Sequence, residues 1–368
     1  MGDPIPVAVD VGPLYGRRTG VGVAVTELVG ALGQRDDVEV LPYLVSFRSR
    51  PEPPTTRLPL PAALAHELWS RADRPRLDRW LGAARLVHGT NYVVPPSRLP
   101  RLVSVYDCWF LTHPERASPR VQRAGEILRR NVRAGATVHA SSAATAATVR
   151  EVLRTARVET VHLGAPPAVE RPGPRPPHRW LDTLRGMPFV LAIGTVERRK
   201  NLPALVEAFG RAAGELGEAR LVLAGAPGDD SEPLEHAVAA LEPLRRAFVV
   251  RPGAVDEATK AWLLHHATVL AYPSLDEGFG FPILEAQGVG LPVIGTRAGS
   301  IPEVGGDGVE LVDVGDVDAL AGAIVRVLAD ERQREALVEA GRVNVTRFTW
   351  HATAERLAHC YHELAVGS

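Results

Sequence analysis

Apolar positions recur along this chain in two registers. Some form short continuous runs rich in Val, Ile and Leu; others return every three or four residues over longer stretches. The first kind reads as strands buried on both faces, the second as helices with one packed stripe. In the first half, strands are predicted over residues 5–11, 38–45, 86–88, 102–106, 137–140 and 158–162, with helices over about 22–32, 120–133 and 143–153. In the second half, strands are predicted over 189–193, 220–224, 248–251, 269–271, 293–295 and 310–312. Helices there cover about 202–213, 234–241, 257–265, 281–289, 317–328 and 332–343, and 351–365 forms one more. Regular alternation of this kind predicts βαβ units around parallel sheets.

The texture breaks at residues 165–177, APPAVERPGPRPP, with six prolines in 13 residues. Proline cannot donate to a helix or sheet ladder, so this segment reads as a stiff linker. The expected organisation is a first Rossmann-like domain over 1–165, a Pro-rich linker over 166–180, a second Rossmann-like domain over 181–346 and a terminal helix over 347–368. In open parallel sheets, ligands sit beyond the carboxyl ends of the strands, so the loops after strands are where chemistry is expected.

Composition narrows the classes. A chain of 368 residues with 45% apolar and 23% charged residues is a folded protein of about two domains, neither disordered nor fibrous. No apolar run approaches the roughly 18 residues of a membrane span, and residues 1–11 lack a basic segment followed by a long apolar one, so no secretory signal is expected. Cys108 and Cys360 stand far apart and offer neither metal spacing nor a disulfide framework, which predicts a reducing, cytoplasmic setting. The net charge of −1 hides an asymmetry: residues 1–160 hold 22 Arg against 15 Asp and Glu (+7), and the remainder carries −8. The basic half could meet phosphates or an anionic lipid face, giving peripheral contact at the inner membrane; two ordinary surfaces of opposite sign remain the alternative. Dispersed basic residues and a neutral balance argue against nucleic acid.

Two segments carry chemistry. Residues 273–285, PSLDEGFGFPILE, follow a strand and lead into a helix, with Glu277 and Glu285 eight apart around Gly278, Phe279 and Gly280. Glycines let a ligand approach the backbone, the helix start offers N–H groups to an anion, and carboxylates accept sugar hydroxyls. Spacing alone leaves a surface loop with a capping glutamate as the alternative. Residues 193–201, IGTVERRKN, place Arg199 and Lys200 after another strand, where two cations suit a diphosphate.

In order, the pieces GTVERRKNLPALVEAF, LVLAG, PGAVDEATKAWLLHHATVLAYPS, DEGFGFPILEAQGVGLPVIGT and GSIPEVGG closely resemble the nucleotide-sugar domain of the retaining family 4 glycosyltransferases over about residues 188–348. The first half resembles the same family more weakly, through HGTNYVVPP and SVYDCWFLTHPE; the pairing is similar to the branch acting in polysaccharide and glycolipid assembly, which includes mannosyltransferases. The resemblance implies the α/β GT-B fold: two Rossmann-like parallel-sheet domains facing across a cleft, with a C-terminal helix crossing back to the first domain. It also implies roles. Glu277 matches the first glutamate of the EX7E motif, at the transferred sugar, and Glu285 the second, on the ribose. Gly278, Phe279, Gly280, Phe281 and Gly194 match backbone near sugar and phosphate, Arg199 and Lys200 the pair on the diphosphate, and Val250 and Arg251 the base site. Gly20 and Gly22 of the RRTGVG loop match glycines facing the donor phosphates. The family works without a bound metal, so no metal or cofactor is expected.

One position departs from the family. Tyr106, with Asp107 after it, stands where relatives commonly carry His-Asp near the reacting sugar. A phenol with a pKa near ~10 donates a hydrogen bond but is a poor base at neutral pH. His113 could take over part of that role or be an ordinary loop histidine. His88 and His139 end strands and could face the cleft in a site role, with a satisfied structural histidine as the favoured reading of each; His265 and His266 read as helix-closing residues without chemistry. Trp69 and Trp80 flank a basic stretch whose Pro75, Asp73 and Asp78 favour a local helix pair over a membrane-lying helix.

The expected activity is transfer of a sugar from a nucleoside-diphosphate donor, GDP-mannose first and UDP-sugars next, to a hydroxyl of a saccharide, glycolipid or small natural product, by a retaining hexosyltransferase with Glu277, Arg199, Lys200, Tyr106 and Asp107 at its centre. A nucleotide-sugar epimerase of the same fold and a nucleotide-sugar-binding protein without turnover are the alternatives. A Rossmann dehydrogenase fits poorly, since the first loop does not spell GxGxxG.

Overall fold

The computed structural model describes residues 3–15, 19–46, 49–173 and 178–366. It divides into two compact units, Met1–Gly164 with Phe348–Ser368, and Ala165–Arg347. Both are built from parallel strands alternating with helices, as the apolar pattern requires.

Unit 1 runs β1 (Ile5–Asp10), α1 (Gly20–Leu32), β2 (Val38–Val45), β3 (Thr56–Leu58), α2 (Ala62–Arg71), β4 (Leu86–Gly89), β5 (Arg101–Val105), α3 (Trp109–Thr112), α4 (Pro119–Arg133), β6 (Thr137–Ala140), α5 (Ala143–Leu153) and β7 (Val158–Thr160). Its sheet has the order β3-β2-β1-β4-β5-β6-β7. Successive residues of a strand point to opposite faces, and here both are covered. Ala8, Val87, Val103 and Val138 pack on one side with Ile127, Leu128 and Trp69; Val7, Val9, Leu86 and Leu102 pack on the other with Leu28 and Leu32.

Unit 2 runs β8 (Phe189–Ile193), α6 (Leu202–Arg211), β9 (Arg220–Ala224), α7 (Ser231–Ala240), α8 (Pro243–Arg246), β10 (Val249–Gly253), α9 (Glu257–His266), β11 (Val269–Tyr272), α10 (Phe281–Val289), β12 (Val293–Thr296), α11 (Ile301–Gly305), β13 (Val309–Val312), α12 (Val317–Ala329) and α13 (Glu331–Val345). The sheet order is β10-β9-β8-β11-β12-β13. Val190 and Leu221 face Leu205, Val206 and Phe209; Leu191 and Val222 face Trp262, Leu263 and Ile283.

The last helix, α14 (Trp350–Val366), belongs to unit 1 and lays Leu357, Ala358 and Tyr361 against Val7, Val9 and Leu86. Its docking is directional. The His139 Nε2–H donates to the Val161 carbonyl (2.9 Å), so its Nδ1 must accept from the Ser104 hydroxyl (2.8 Å). Ser104 then accepts from His88 Nε2–H (2.8 Å), which leaves His88 Nδ1 to accept from the Tyr361 hydroxyl (2.7 Å). Both imidazoles are buried and neutral, held by burial at about 3 and about 4. The structural reading of His88 and His139 is therefore the one the fold adopts.

Several boundaries differ from the sequence reading. α1 opens at Gly20 because Thr19 caps it, its hydroxyl accepting from Gly22 N–H at 3.3 Å; Gly20 and Gly22 thus sit in the first helical turn, not in a loop. Arg17 and its neighbours, like Pro174–Pro177 of the proline run, lie outside the described residues. The edge strand β3 is three residues, too short for any periodicity to register. The expected helix partner for the Trp69 segment is a single 3-10 turn, Asp78–Trp80. Chain from Ala165 onward belongs to unit 2, where Val169 packs beside its core.

Candidate functional site

An open parallel sheet offers a ligand crevice where strand order reverses, because the loops on either side lead to helices on opposite faces. In unit 2 that point lies between β8 and β11, which are adjacent although far apart in sequence. The two chemistry-bearing segments follow those two strands. The loop after β8 carries Arg199 and Lys200 in a 3-10 turn, Arg198–Lys200, closed by Asn201 in the left-handed region (φ 51°). The loop after β11 carries Glu277. Leu275 N–H donates to the Arg199 carbonyl at 2.7 Å and ties the two loops together.

Glu277 is 6% exposed and both its carboxylate oxygens are engaged. Arg199 Nη1 donates to Oε2 at 2.9 Å; Lys200 Nζ and the Ser274 hydroxyl (2.9 Å) donate to Oε1. Arg199 also holds Glu197 through Nε at 2.8 Å, and Lys200 holds the Tyr272 hydroxyl at 2.6 Å while lying over its ring, 4.4 Å from the centroid. Burial alone would raise the Glu277 carboxyl, but the two cations outweigh it and hold it at about 2. Burial and the neighbouring Arg199 charge draw Lys200 below its usual range, against the pull of Glu277.

The backbone around Glu277 is fixed by close approach. Ser300 N–H donates to the Glu277 carbonyl (2.9 Å) and the Ser300 hydroxyl to that of Phe279 (2.9 Å). Gly299, at φ +49°, lies so near that a Cβ there would meet the Glu277 carbonyl at 2.3 Å. Gly280 (φ +100°) turns the chain into α10, which starts without a side-chain cap; Phe279 is buried edge-to-face on Phe281 (5.5 Å). Gly194 (φ +142°) ends β8, and its carbonyl fits under Gly225, where a Cβ would stand 1.7 Å away.

Arg199, Lys200 and Glu277 thus form one ion-paired cluster. Glu285, on α10, does not join it by contact. It pairs with Lys260 of α9 (2.5 Å), a partner the sequence reading did not assign, and burial raises its carboxyl while Lys260 opposes. Its charge does reach the cluster through Tyr272, whose ionisation it helps to suppress. Val250 and Arg251 lie on the edge strand β10, with Arg251 bound to Glu235 of α7 (2.5 Å). Ser274, Tyr272, Glu197 and Ser300 are members that sequence reasoning missed. Only Ser274 left a signal, as a hydroxyl residue just past a strand in the glutamate segment.

In unit 1, Tyr106 follows β5 and is buried. Its hydroxyl makes no well-formed hydrogen bond, and burial lifts its ionisation, with Ser104 opposing and Asp10 adding to the rise. Asp107 accepts from the Tyr92 hydroxyl (2.9 Å) and from Trp109 N–H (3.2 Å). His113 is stacked on Trp109 (3.8 Å) and bonded to Thr112, as a loop histidine would be. His266 stacks on Trp262 (4.0 Å) at the end of α9. Among the described residues no group of three or more His, Cys, Asp or Glu is placed to hold a metal ion, and no helix is long and apolar enough to cross a membrane.

Residues 182–344 match the family described as Glycosyl transferases group 1. The O-antigen chain mannosyltransferase B of Escherichia coli is 29% identical over 174 residues, 47% of this chain and 45% of that protein. The phosphatidyl-myo-inositol mannosyltransferase of Mycolicibacterium smegmatis is 29% identical over 168 residues, 45% of this chain and 42% of that one. The matches therefore cover less than half the length of these curated relatives. Among solved structures, sucrose-phosphate synthase from Thermosynechococcus elongatus superposes with a TM-score of 0.73 at 21% identity, over 99% of this chain and 100% of that chain.

Proposed function

We propose sugar transfer from a nucleoside diphosphate as the reaction of this chain, whose residues 182–344 form a group 1 glycosyltransferase domain within a GT-B fold. The observation that carries the reading is the meeting of Glu277, Arg199 and Lys200 at the strand-order reversal of unit 2. When a glycosyl–phosphate bond breaks, the sugar gains positive and the leaving diphosphate negative charge. A carboxylate held ionised and two cations fixed beside it meet both demands without reorganising during the step. Arg199 and Lys200 would hold the diphosphate, and Glu277 the sugar being transferred.

The reading extends to retention of configuration. The bond from the anomeric carbon to the phosphate oxygen breaks, the acceptor oxygen bonds to that carbon from the same face, and the acceptor proton passes to the leaving phosphate. No protein nucleophile is then needed, which accommodates a tyrosine at position 106. Glu285 would receive ribose hydroxyls beside Lys260, and the edge strand β10, with Val250 and Arg251, would face the base. The names of the two relatives favour mannose as the sugar, and the sequence resemblance favours GDP-mannose as its donor. The hydroxyl acceptor would be a saccharide, a glycolipid or a small natural product. A thermal-shift panel of GDP-, UDP-, ADP- and dTDP-sugars tests the donor: GDP-mannose should raise the melting temperature most, since a ligand bound only by the native state stabilises it. An equal response to all four, or none, would sink this assignment. NMR of the product's anomeric configuration tests retention.

A further inference from the structure

Unit 1 has its own strand-order reversal, between β1 and β4, and the proposed reaction uses nothing there. The last residue of β1 is Asp10. Its side chain is half-buried at the carboxyl edge of the sheet and accepts from Gly12 N–H at 2.8 Å; a Cβ on Gly12 would crowd that oxygen at 3.0 Å. Among the described residues no cation pairs with it. Burial pushes its carboxyl up to about 7, only partly offset by the Gly12 bond. The Thr90 hydroxyl, just past β4, donates to the Asp10 carbonyl at 2.7 Å and closes the reversal point.

Two phenols stand close enough for the Asp10 charge to suppress their ionisation: Tyr43, its register partner on β2, and Tyr106, past β5. Both hydroxyls are buried; among the described residues that of Tyr43 has no hydrogen-bond partner, and that of Tyr106 makes no well-formed one, with Ser104 its nearest influence. A half-buried carboxylate with no cation among the described residues, beside two poorly satisfied phenol donors, is a costly feature, and folds keep such groups where they serve a ligand. These three polar groups, on β1, on β2 and just past β5, lie at the place where a doubly wound sheet receives its ligand.

We propose that Asp10 is a substrate contact of unit 1, its carboxylate accepting hydrogen bonds from vicinal hydroxyls of an uncharged sugar or polyol, with Tyr43 and Tyr106 as positioning residues beneath it. An anionic group at that spot would be repelled by the carboxylate, so the ligand part held there is neutral. The inference rests on the transferase reading in one respect only, that this ligand is the acceptor.

The test uses the full chain and two readouts. Saturation-transfer NMR with methyl α-D-mannopyranoside and with myo-inositol reads polyol binding; the thermal shift given by GDP-mannose reads the donor site separately. Asp10→Asn keeps the Gly12 bond. It should weaken the polyol signal at least tenfold, keep the GDP-mannose shift, and leave the melting temperature at pH 8 equal or higher, because it removes a buried charge. Tyr106→Phe should weaken the polyol signal less. No polyol signal from the wild type, an undiminished one from Asp10→Asn, or a lower melting temperature in that variant would each overturn the proposal, the last by making the carboxylate structural. A missing GDP-mannose shift in the wild type counts against the donor reading and leaves the polyol readout intact.

Discussion

Glu277 concentrates the chemistry of unit 2 in one side chain, and its removal should separate activity from folding. Glu277→Gln keeps the hydrogen-bonding shape but loses the charge, so transfer should fall by at least about a hundredfold, the usual scale for losing a preorganised electrostatic group; near-normal turnover in a product assay would count against the assignment. Glu277→Ala goes further, leaving the half-buried Lys200 without its carboxylate and Arg199 with Glu197 alone, at a cost of about 3 kcal/mol, visible as a lowered urea midpoint. The pH dependence has a definite sign. The folded carboxyl sits at about 2, against an ordinary value of 4.5. Its contribution, about 3 kcal/mol, is therefore complete above pH 4.5 and lost as pH falls toward 2. None of this was legible in the charges alone. The glutamate and the Arg-Lys pair were readable as candidates, but that both cations fall on one carboxylate, and that Glu285 takes Lys260 instead, depended on which strands became neighbours.

At the scale of elements, tight contacts between loops carry the geometry. Gly299→Ala should destabilise unit 2, because its positive φ disfavours a side chain and its Cβ would press on the Glu277 carbonyl. We expect about 1–3 kcal/mol together with reduced turnover, measured by calorimetry and assay. In unit 1, α14 is held by the directed chain through Tyr361, His88, Ser104 and His139. Tyr361→Phe strands His88 Nδ1 in the core and should cost about 1–3 kcal/mol. Most helices and central strands were readable, because each presents a long apolar pattern. Strand β3 and the turn at Asp78–Trp80 were not, since a few residues carry no period. The start of α1 was displaced by a cap, Thr19, whose hydroxyl competes with the glycines for the helix end.

For the whole molecule, acid should act on the two units in different windows. His88 and His139 are neutral when folded, at about 3 and about 4 against 6.5, so they cost unit 1 stability as pH falls from 6.5 toward 4, a loss that Asp10, raised to about 7, offsets only in part. The Glu277 cluster of unit 2 responds only below 4.5. Calorimetric scans at pH 7.5 and 5 should show the transition of unit 1 moving down first; both moving together would contradict the assignment. The charge asymmetry also takes shape in unit 1, where Arg71, Arg74, Arg76, Arg79 and Arg98 line a surface cavity of about 810 Å³ with Asp78 as the acidic member. If this face meets anionic lipid, Arg74→Glu with Arg98→Glu should abolish co-sedimentation with phosphatidylglycerol vesicles at low salt, at about 1 kcal/mol per arginine before reversal.

The sequence by itself determined two parallel-sheet units, the proline-rich passage between them and the loops that carry charge, because burial patterns and turn chemistry are local properties of the chain. Only tertiary structure decided which charges pair, that two histidines are locked neutral beneath α14, and that Asp10 stands beside two buried, poorly satisfied phenols. Those facts depend on strand order and on burial, which bring together residues tens to hundreds of positions apart and set what each ionisable group costs.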